Sequence, residues 1–129
     1  MRARQKVRQL VEEYCSTERH PSLPPFRVCG PYTQETLWTT EVSDGPGCYA
    51  IYANDCSLLY IGASEAGVRA RAPSHLRKSV QAAPFWQQQS PARYIDLIFV
   101  TQPWEHLSLE KYLTLKTATL RGASHLPRA

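Results

Sequence analysis

The sequence predicts an α/β fold of the α+β type, in which helices flank a small, largely antiparallel sheet of three strands and a helical extension precedes the sheet. Three observations support this prediction: an amphipathic stripe near the N-terminus, two strand-forming runs joined by a short polar turn, and a later apolar run that leads into a helical pattern. The predicted order is helix, strand, strand, helix, strand, helix.

The N-terminal extension opens with an amphipathic helix over residues 4–19. Its apolar residues Val7, Leu10, Val11 and Tyr14 follow the i, i+3, i+4, i+7 spacing that places side chains on one helix face. We expect this face to pack against the domain. Basic residues crowd the start of the helix, so contact with nucleic acid is the alternative role.

A proline-rich stretch follows over residues 20–31 and contains four prolines. Proline lacks the amide hydrogen that regular structure uses, so this stretch is predicted to be a connector rather than a strand or a helix. The next residues, 33–42, are ambiguous between helix, strand and loop. We therefore expect an extension over residues 1–40 and a domain over residues 41–129.

The domain begins with a predicted β-hairpin. A turn-forming sequence at residues 44–47 leads into a strand over 48–52, and a second turn at 54–55 leads into a strand over 58–61 that ends at Gly62. Two strand-forming runs separated by a short polar turn are typical of a hairpin.

The rest of the domain is predicted to contain one more strand between two helices. Residues 63–80 indicate a loop followed by a helix. Residues 94–100 form a third strand, and because this run is almost continuously apolar we expect it to be central in the sheet. Residues 104–121 carry the apolar spacing of a final helix.

Composition and charge narrow the classes of function. The chain of 129 residues carries a net charge of +4, and arginine dominates its 15 basic residues, which is compatible with binding to nucleic acid. No apolar run approaches the ~18 residues of a membrane span, and no signal core follows the basic N-terminus. The four cysteines lack zinc-finger or redox spacing and are interpreted as reduced thiols. We therefore expect a cytoplasmic protein with no membrane partner.

Several candidate functional residues occur in a fixed order along the chain. The set comprises Gly47-Cys48-Tyr49, then Tyr60-Ile61-Gly62 after ten further residues, and later Arg71, His75 and Glu110. In this order and on these predicted elements, the chain resembles the GIY-YIG nuclease family over roughly residues 45–120. The resemblance implies a metal-dependent endonuclease that acts on DNA, with RNA not excluded.

The resemblance also implies a role for each residue. Glu110 would hold one divalent metal, Mg²⁺ or Mn²⁺, and Arg71 would bind the scissile phosphate. Tyr60, with Tyr49 beside it, would activate or orient the attacking water. Because a free phenol has a pKa near ~10 and is a poor base at neutral pH, it would need help from a cation or from His75.

Three features depart from the family pattern. The middle of the first triplet is usually Ile or Val, whereas this chain has Cys48. The family usually has an Asn after the last helix, whereas the only Asn here is Asn54 in the hairpin turn. Pro73 suits the first turn of a helix, so the helix is expected to begin near Ala72 and to leave Arg71 on the preceding loop.

Further basic and aromatic residues are candidates for contact with nucleic acid, namely Arg69, Arg77, Lys78 and Trp86. Arg69 is also a rival to Arg71 for the scissile phosphate. Trp86 lies in a Gln-rich loop and is the best candidate to stack on bases, whereas core packing is expected for most other large aromatic residues. The basic residues could instead form a solvated helix face.

Other classes of function stay open beside the nuclease. A catalytically impaired module of the same fold could bind nucleic acid or protein without cutting, with Tyr49 and Tyr60 as packing aromatics of a hairpin. The N-terminal extension could dock a larger repair or restriction partner. A single active site would also need a dimer, successive cuts or a partner to break both strands of DNA.

Overall fold

The structure, a computed structural model, describes residues 2–72 and 92–118. Within these residues the helices are α1 (Arg2–Thr17), α2 (Gln34–Thr39), α3 (Val68–Arg71) and α4 (Glu105–Lys116), and the strands are β1 (Arg27–Tyr32), β2 (Gly47–Ala53), β3 (Leu58–Ser64) and β4 (Ala92–Phe99). The strands pair antiparallel in the order β1-β4-β2-β3. The predicted α+β class is confirmed, but the described sheet has four strands rather than three.

β1 is the strand that the sequence prediction missed. It pairs with β4 at one edge of the sheet, and its register shifts between Cys29 and Tyr32. Proline is tolerated at a sheet edge because one side of an edge strand makes no ladder hydrogen bonds. Pro31 therefore fits within β1, and the prediction of a connector was wrong for residues 27–32.

The remaining strands agree closely with the prediction. β2 and β3 form the predicted hairpin, and β4 is central, since it lies between β1 and β2. The largest difference in a strand boundary is at the end of β3, which does not stop at Gly62 but continues to Ser64. This difference matters for the candidate site, since it places Gly62 within a paired strand rather than in a turn.

Two hydrophobic clusters cover opposite faces of the sheet. Alternate residues of a strand point to opposite faces, so Cys48 and Ala50 pack beneath α1 and α4, whereas Tyr49 packs on the side of α2 and α3. The buried residues of α1 are the predicted stripe Val7, Leu10, Val11 and Tyr14. In the part of the chain that the structure describes, no helix is both long enough and apolar enough to cross a membrane.

The start of α1 is tied to the sheet by a buried ion pair. Arg4 Nε and Nη2 donate hydrogen bonds of 2.9 Å to the two carboxylate oxygens of Asp96, which is fully buried on β4. These hydrogen bonds raise the pKa of Arg4. Burial, together with the nearby Asp96 carboxylate, raises the pKa of the Tyr52 hydroxyl, so a neutral phenol lies beside the pair. The N-terminal helix therefore shares one core with the sheet.

The chain that follows α1 is tied to the start of α4. Arg19 Nε donates to Glu105 Oε2 at 2.6 Å, and both residues are buried. Arg19 also donates to the carbonyl of Pro24 at 2.8 Å, and its guanidinium lies 4.2 Å from the centre of the Phe26 ring. The hydrogen bond to Glu105 raises the pKa of Arg19.

Candidate active site

The two tyrosines of the sequence motif lie on neighbouring strands and on the same face of the sheet. Tyr49 is on β2 and Tyr60 is on β3, and their ring centroids are 6.3 Å apart. Tyr49 is 2% exposed, whereas Tyr60 is partly exposed. Of the two phenols, Tyr60 is therefore the one that is more accessible to solvent.

A β-bulge interrupts β3 directly before Tyr60. Tyr60 pairs with Ile51 of β2. The next pair joins Leu58 to Tyr52, so Leu59 is an extra residue in β3. In a regular strand, residues two apart share a face, and a β-bulge breaks this alternation. The bulge allows Leu58 to pack beneath α1 and α4 while Tyr60 packs in the opposite cluster.

Gly62 makes room for the ring of Tyr49. The two residues are paired directly across β2 and β3. A Cβ atom added to Gly62 would lie 2.5 Å from Tyr49 Oη and 2.7 Å from its Cε2, well inside the ~3.5–4.0 Å of an ordinary carbon contact. Gly62 is therefore required by the aromatic ring that lies over it.

Replacing Gly62 with alanine is expected to lower the free energy of unfolding by about 1–3 kcal/mol, because the added methyl group overpacks the Tyr49 site. Urea denaturation measures this loss. In a Tyr49→Leu background, which lacks the outer ring and the hydroxyl, the same substitution should cost much less. An equal loss in both backgrounds would show that the contact with Tyr49 is not the cause.

Gly47 is required for a different steric reason. A Cβ atom added there would clash with the main-chain carbonyl oxygen of Ile98 on β4. Main chain cannot move aside as a flexible side chain does, so this position excludes any larger residue without a shift of the central strands. Each motif glycine therefore lies where a side chain would clash, Gly62 against the Tyr49 ring and Gly47 against the main chain of β4.

Arg71 lies in the last turn of α3 and is exposed. The expectation that Arg71 lies on a loop was wrong, because it is the last residue of α3. The helix expected to begin near Ala72 falls mostly outside the described residues. Val68 and Ala72 are fully buried in the cluster that contains Tyr49. Packing of α3 therefore brings Arg71 to the same side of the sheet as the two tyrosines.

Asp44 fixes the start of α3 and is a positioning residue that sequence analysis missed. Its carboxylate accepts hydrogen bonds from the main-chain amides of Arg69 at 2.8 Å and Ala70 at 3.0 Å. Amides in the first turn of a helix lack acceptors within the helix, so this side chain acts as a cap. The sequence showed Asp44 only as part of a turn, since its partners lie 25 residues or more along the chain.

Arg69 is partly engaged by the protein itself. Its Nη2 atom donates to the carbonyl of Thr40 at 2.8 Å, and this contact joins α3 to the segment that follows α2. A guanidinium has five donors, so the remaining ones could still contact phosphate. The contact with Thr40 nevertheless gives Arg69 a structural role that the sequence did not indicate.

Glu110 lies on the buried side of α4, between the core residues Leu109 and Leu113, and is 8% exposed. The thiol of Cys48 donates to the carbonyl of His106 at 3.1 Å, one helical turn before Glu110. β2, which carries Tyr49, is thereby joined to the turn of α4 that precedes Glu110. The unusual residue of the first triplet therefore connects two elements of the candidate site.

The donor set around Glu110 bears on which metal could bind. Within residues 2–72 and 92–118, no group of three or more His, Cys, Asp or Glu side chains could hold a metal ion. Mg²⁺ commonly uses one or two carboxylates and keeps several waters, whereas structural zinc needs four protein ligands. A single carboxylate such as that of Glu110 therefore fits Mg²⁺ or Mn²⁺ better than a metal held entirely by side chains.

Part of the predicted site lies outside the residues that the structure describes, namely His75, Arg77, Lys78 and Trp86. Their predicted roles stay predictions. Among the described residues, the structure brings Tyr49, Tyr60 and Arg71 to one side of the sheet. Glu110 lies on α4, whose core residues Leu109 and Leu113 pack on the opposite face.

Comparisons with known proteins do not assign this chain to a family. No family model matches the chain, no curated protein matches it, and no solved structure matches it. A function therefore has to be argued from the residues and from the geometry of the site.

Proposed function

We propose that this protein is a metal-dependent endonuclease that hydrolyses phosphodiester bonds of DNA. The observation that carries the proposal is the pair of tyrosines, Tyr49 and Tyr60, with ring centroids 6.3 Å apart on the sheet face against which α3 packs. The helix α3 ends at Arg71, which supplies a cation on the same side of the sheet. The resemblance of the motif to the GIY-YIG nuclease family supports the same chemistry.

Arg71 binds the scissile phosphate in this proposal. Hydrolysis adds negative charge to the phosphate oxygens as the water oxygen attacks phosphorus and the bond to one sugar oxygen breaks. A fixed guanidinium donates two parallel hydrogen bonds to such oxygens and stabilises the charge. The exposure of Arg71 at the end of a short, capped helix suits a side chain that must meet a macromolecular substrate.

Tyr60 orients the attacking water and, in its phenolate form, accepts the proton that the water loses as its oxygen bonds to phosphorus. The phenol is a weak base unless a cation lies close by, and Arg71 on the same side of the sheet is such a cation. Tyr49 holds Tyr60 in place, because its nearly buried ring packs over Gly62 and beside the Tyr60 ring. The leaving sugar oxygen takes a proton from water.

Glu110 would hold the divalent metal, Mg²⁺ or Mn²⁺, through its carboxylate. When bound, such an ion stabilises the negative charge that develops on the phosphate and leaving oxygens. The hydrogen bond from Cys48 to His106 joins α4 to β2 one helical turn before Glu110, on the sheet face opposite the two tyrosines. The substrate is DNA, with RNA as an alternative, and the proposed setting is repair or restriction in the cytoplasm.

Nicking of supercoiled plasmid in Mg²⁺ tests the proposal directly. Arg71→Ala should slow nicking about 10²–10³-fold, the usual cost of losing one preorganised donor to a transition state. Tyr60→Phe should slow it about 10²–10⁴-fold, the range expected for a lost acid–base group. Glu110→Gln should remove both nicking and the thermal stabilisation that the metal gives to the folded protein.

Matched controls separate chemistry from folding and from net charge. Arg2→Ala removes an exposed arginine outside the site, and Tyr32→Phe removes a partly buried phenol on β1, so both variants should keep full activity. Thermal unfolding confirms that each variant is folded. A parent protein that binds DNA but does not nick it would reject the nuclease and favour the non-cutting binding module.

A further inference from the structure

α4 carries a second apolar face that the core does not use. Trp104, Leu107 and Leu115 are 70%, 61% and 68% exposed, although the same helix buries Leu109 and Leu113 completely. Successive helical residues are about 100° apart, so the three exposed residues and Lys111 lie within about 80° of one another around the helix axis. We call the residues Trp104, Leu107, Lys111 and Leu115 the α4 ridge.

A groove runs beside the α4 ridge, between α4 and the end of α1. It has a volume of about 320 Å³ and is lined by Tyr14, Glu18, Ser108, Lys111, Tyr112 and Leu115. Side chains of the two helices contact one another at its floor, where Tyr14 Oη donates to Ser108 Oγ at 2.7 Å and the Tyr14 and Tyr112 rings meet edge to face at 5.2 Å.

The two walls of the groove carry opposite charges. Lys111 is exposed on the α4 wall and Glu18 is exposed on the α1 wall. Among the residues that the structure describes, neither side chain forms an ion pair within 4.0 Å. Glu13 adds a second exposed carboxylate on α1, and the exposed Lys116 adds a second cation, since its Nζ lies 5.5 Å from the centre of the Tyr112 ring. Charges of both signs balance, so the patch as a whole does not favour the phosphates of nucleic acid.

The geometry points to a second copy of this chain as the occupant of this surface. In a two-fold dimer with its axis parallel to α4, the α4 ridge of each copy lies in the groove of the other. Every contact then occurs twice, so Lys111 of one copy faces Glu18 of the second copy and the reverse. A patch that carries an apolar ridge, a groove and both signs of charge is complementary to itself.

The dimer also has a consequence for the proposed cleavage. Each copy carries one candidate active site, and a dimer therefore carries two. The inference itself does not depend on cleavage, because it rests on the exposed face of α4 and on the charges of Lys111 and Glu18. A protein that does not nick DNA could still form the dimer, and a monomeric protein could still nick DNA, so the two experiments test the two proposals separately.

Charge reversal across the interface tests the dimer. Sedimentation velocity gives the dissociation constant, which we expect to be micromolar for a patch of this modest size. Lys111→Glu and Glu18→Lys should each weaken association at least about tenfold, because each places like charges opposite one another. The double variant Lys111→Glu with Glu18→Lys should restore association, since it exchanges the two charges within the same pair. Leu107→Ser should weaken association without a loss of thermal stability, because Leu107 is already 61% exposed.

Lys6→Glu is the matched control, since it makes the same charge change at an exposed position of α1 outside the groove. It should leave the dissociation constant within about twofold of the parent value. A parent protein that stays monomeric at about 100 µM, far above a micromolar dissociation constant, overturns the proposal. A dimer that the single reversals leave intact, or that the double variant does not restore, overturns this interface.

Discussion

Replacing Asp96 with asparagine is expected to lower the free energy of unfolding by about 3–5 kcal/mol, the usual cost of breaking a buried ion pair by removing one partner. Asp96 is fully buried on β4, and Arg4 reaches it from α1 with two hydrogen bonds of 2.9 Å. Without the carboxylate, the Arg4 guanidinium keeps its charge but loses its compensation. Urea denaturation at neutral pH measures the loss.

Two further variants show whether the ion pair itself carries this effect. Arg4→Met should cost a similar amount, because it leaves a buried carboxylate. The double variant Arg4→Met with Asp96→Asn should cost clearly less than the sum of the single losses, since no buried charge is left unpaired. Losses that add without interaction would mean that the two side chains stabilise the fold separately.

Arg8→Met is the internal control for the same carboxylate. Arg8 Nη2 lies 3.9 Å from Asp96 Oδ1, and its side chain is 40% exposed, against 13% for Arg4. An exposed and longer ion pair is typically worth about 0–1 kcal/mol, because solvent screens it. Arg4→Met and Arg8→Met remove the same charge next to the same carboxylate. A difference between their losses of stability therefore reports the effect of burial and of hydrogen-bond geometry.

The elements that sequence reasoning predicted well are those with a strong local pattern. The four apolar residues of α1 are the four that the structure buries, and the hairpin, the central strand β4 and α4 appear where their patterns placed them. These patterns succeed because one face of each element meets a core, and the spacing of apolar residues records that face directly.

The elements and contacts that it missed depend on distant partners. β1 escaped prediction because an edge strand tolerates proline, so its sequence looked like a connector. The apolar run of β4 gave no sign that Asp96 would be buried and paired with Arg4, 92 residues earlier. α3 itself was not predicted because the side chain that caps it, Asp44, lies 25 residues before Arg69, from whose main-chain amide it accepts a hydrogen bond.

In the candidate site, too, local patterns were predictable and contacts between distant residues were not. The motif residues Tyr49, Tyr60 and Arg71 could be selected from order and spacing, because the hairpin and the helix that follow one another also lie together in space. The packing around these residues could not be predicted from order and spacing. The bulge at Leu59 and the contact of Gly62 with the Tyr49 ring exist only once β2 and β3 have paired.

Replacing Glu105 with alanine is expected to cost about 3–5 kcal/mol, because it leaves the buried Arg19 guanidinium without its carboxylate partner. Glu105 Oε1 also accepts a hydrogen bond of 3.2 Å from the main-chain amide of Gln102, so the substitution removes a contact that fixes the chain entering α4. Glu12→Ala, at an exposed position of α1, is the matched control and should change stability by less than about 0.5 kcal/mol.

The Glu105 variant also tests how firmly the candidate metal ligand is held. Glu110 lies little more than one helical turn after Glu105, so release of the start of α4 should speed amide hydrogen exchange over residues 107–110 by more than the global loss of stability alone. If exchange there rises only as much as in the core of β2, Arg19 and Glu105 stabilise the whole fold but do not position Glu110. If exchange rises only over residues 107–110, the ion pair between Arg19 and Glu105 stabilises the turn of α4 that carries the Glu110 carboxylate, although the pair lies more than one turn away from it.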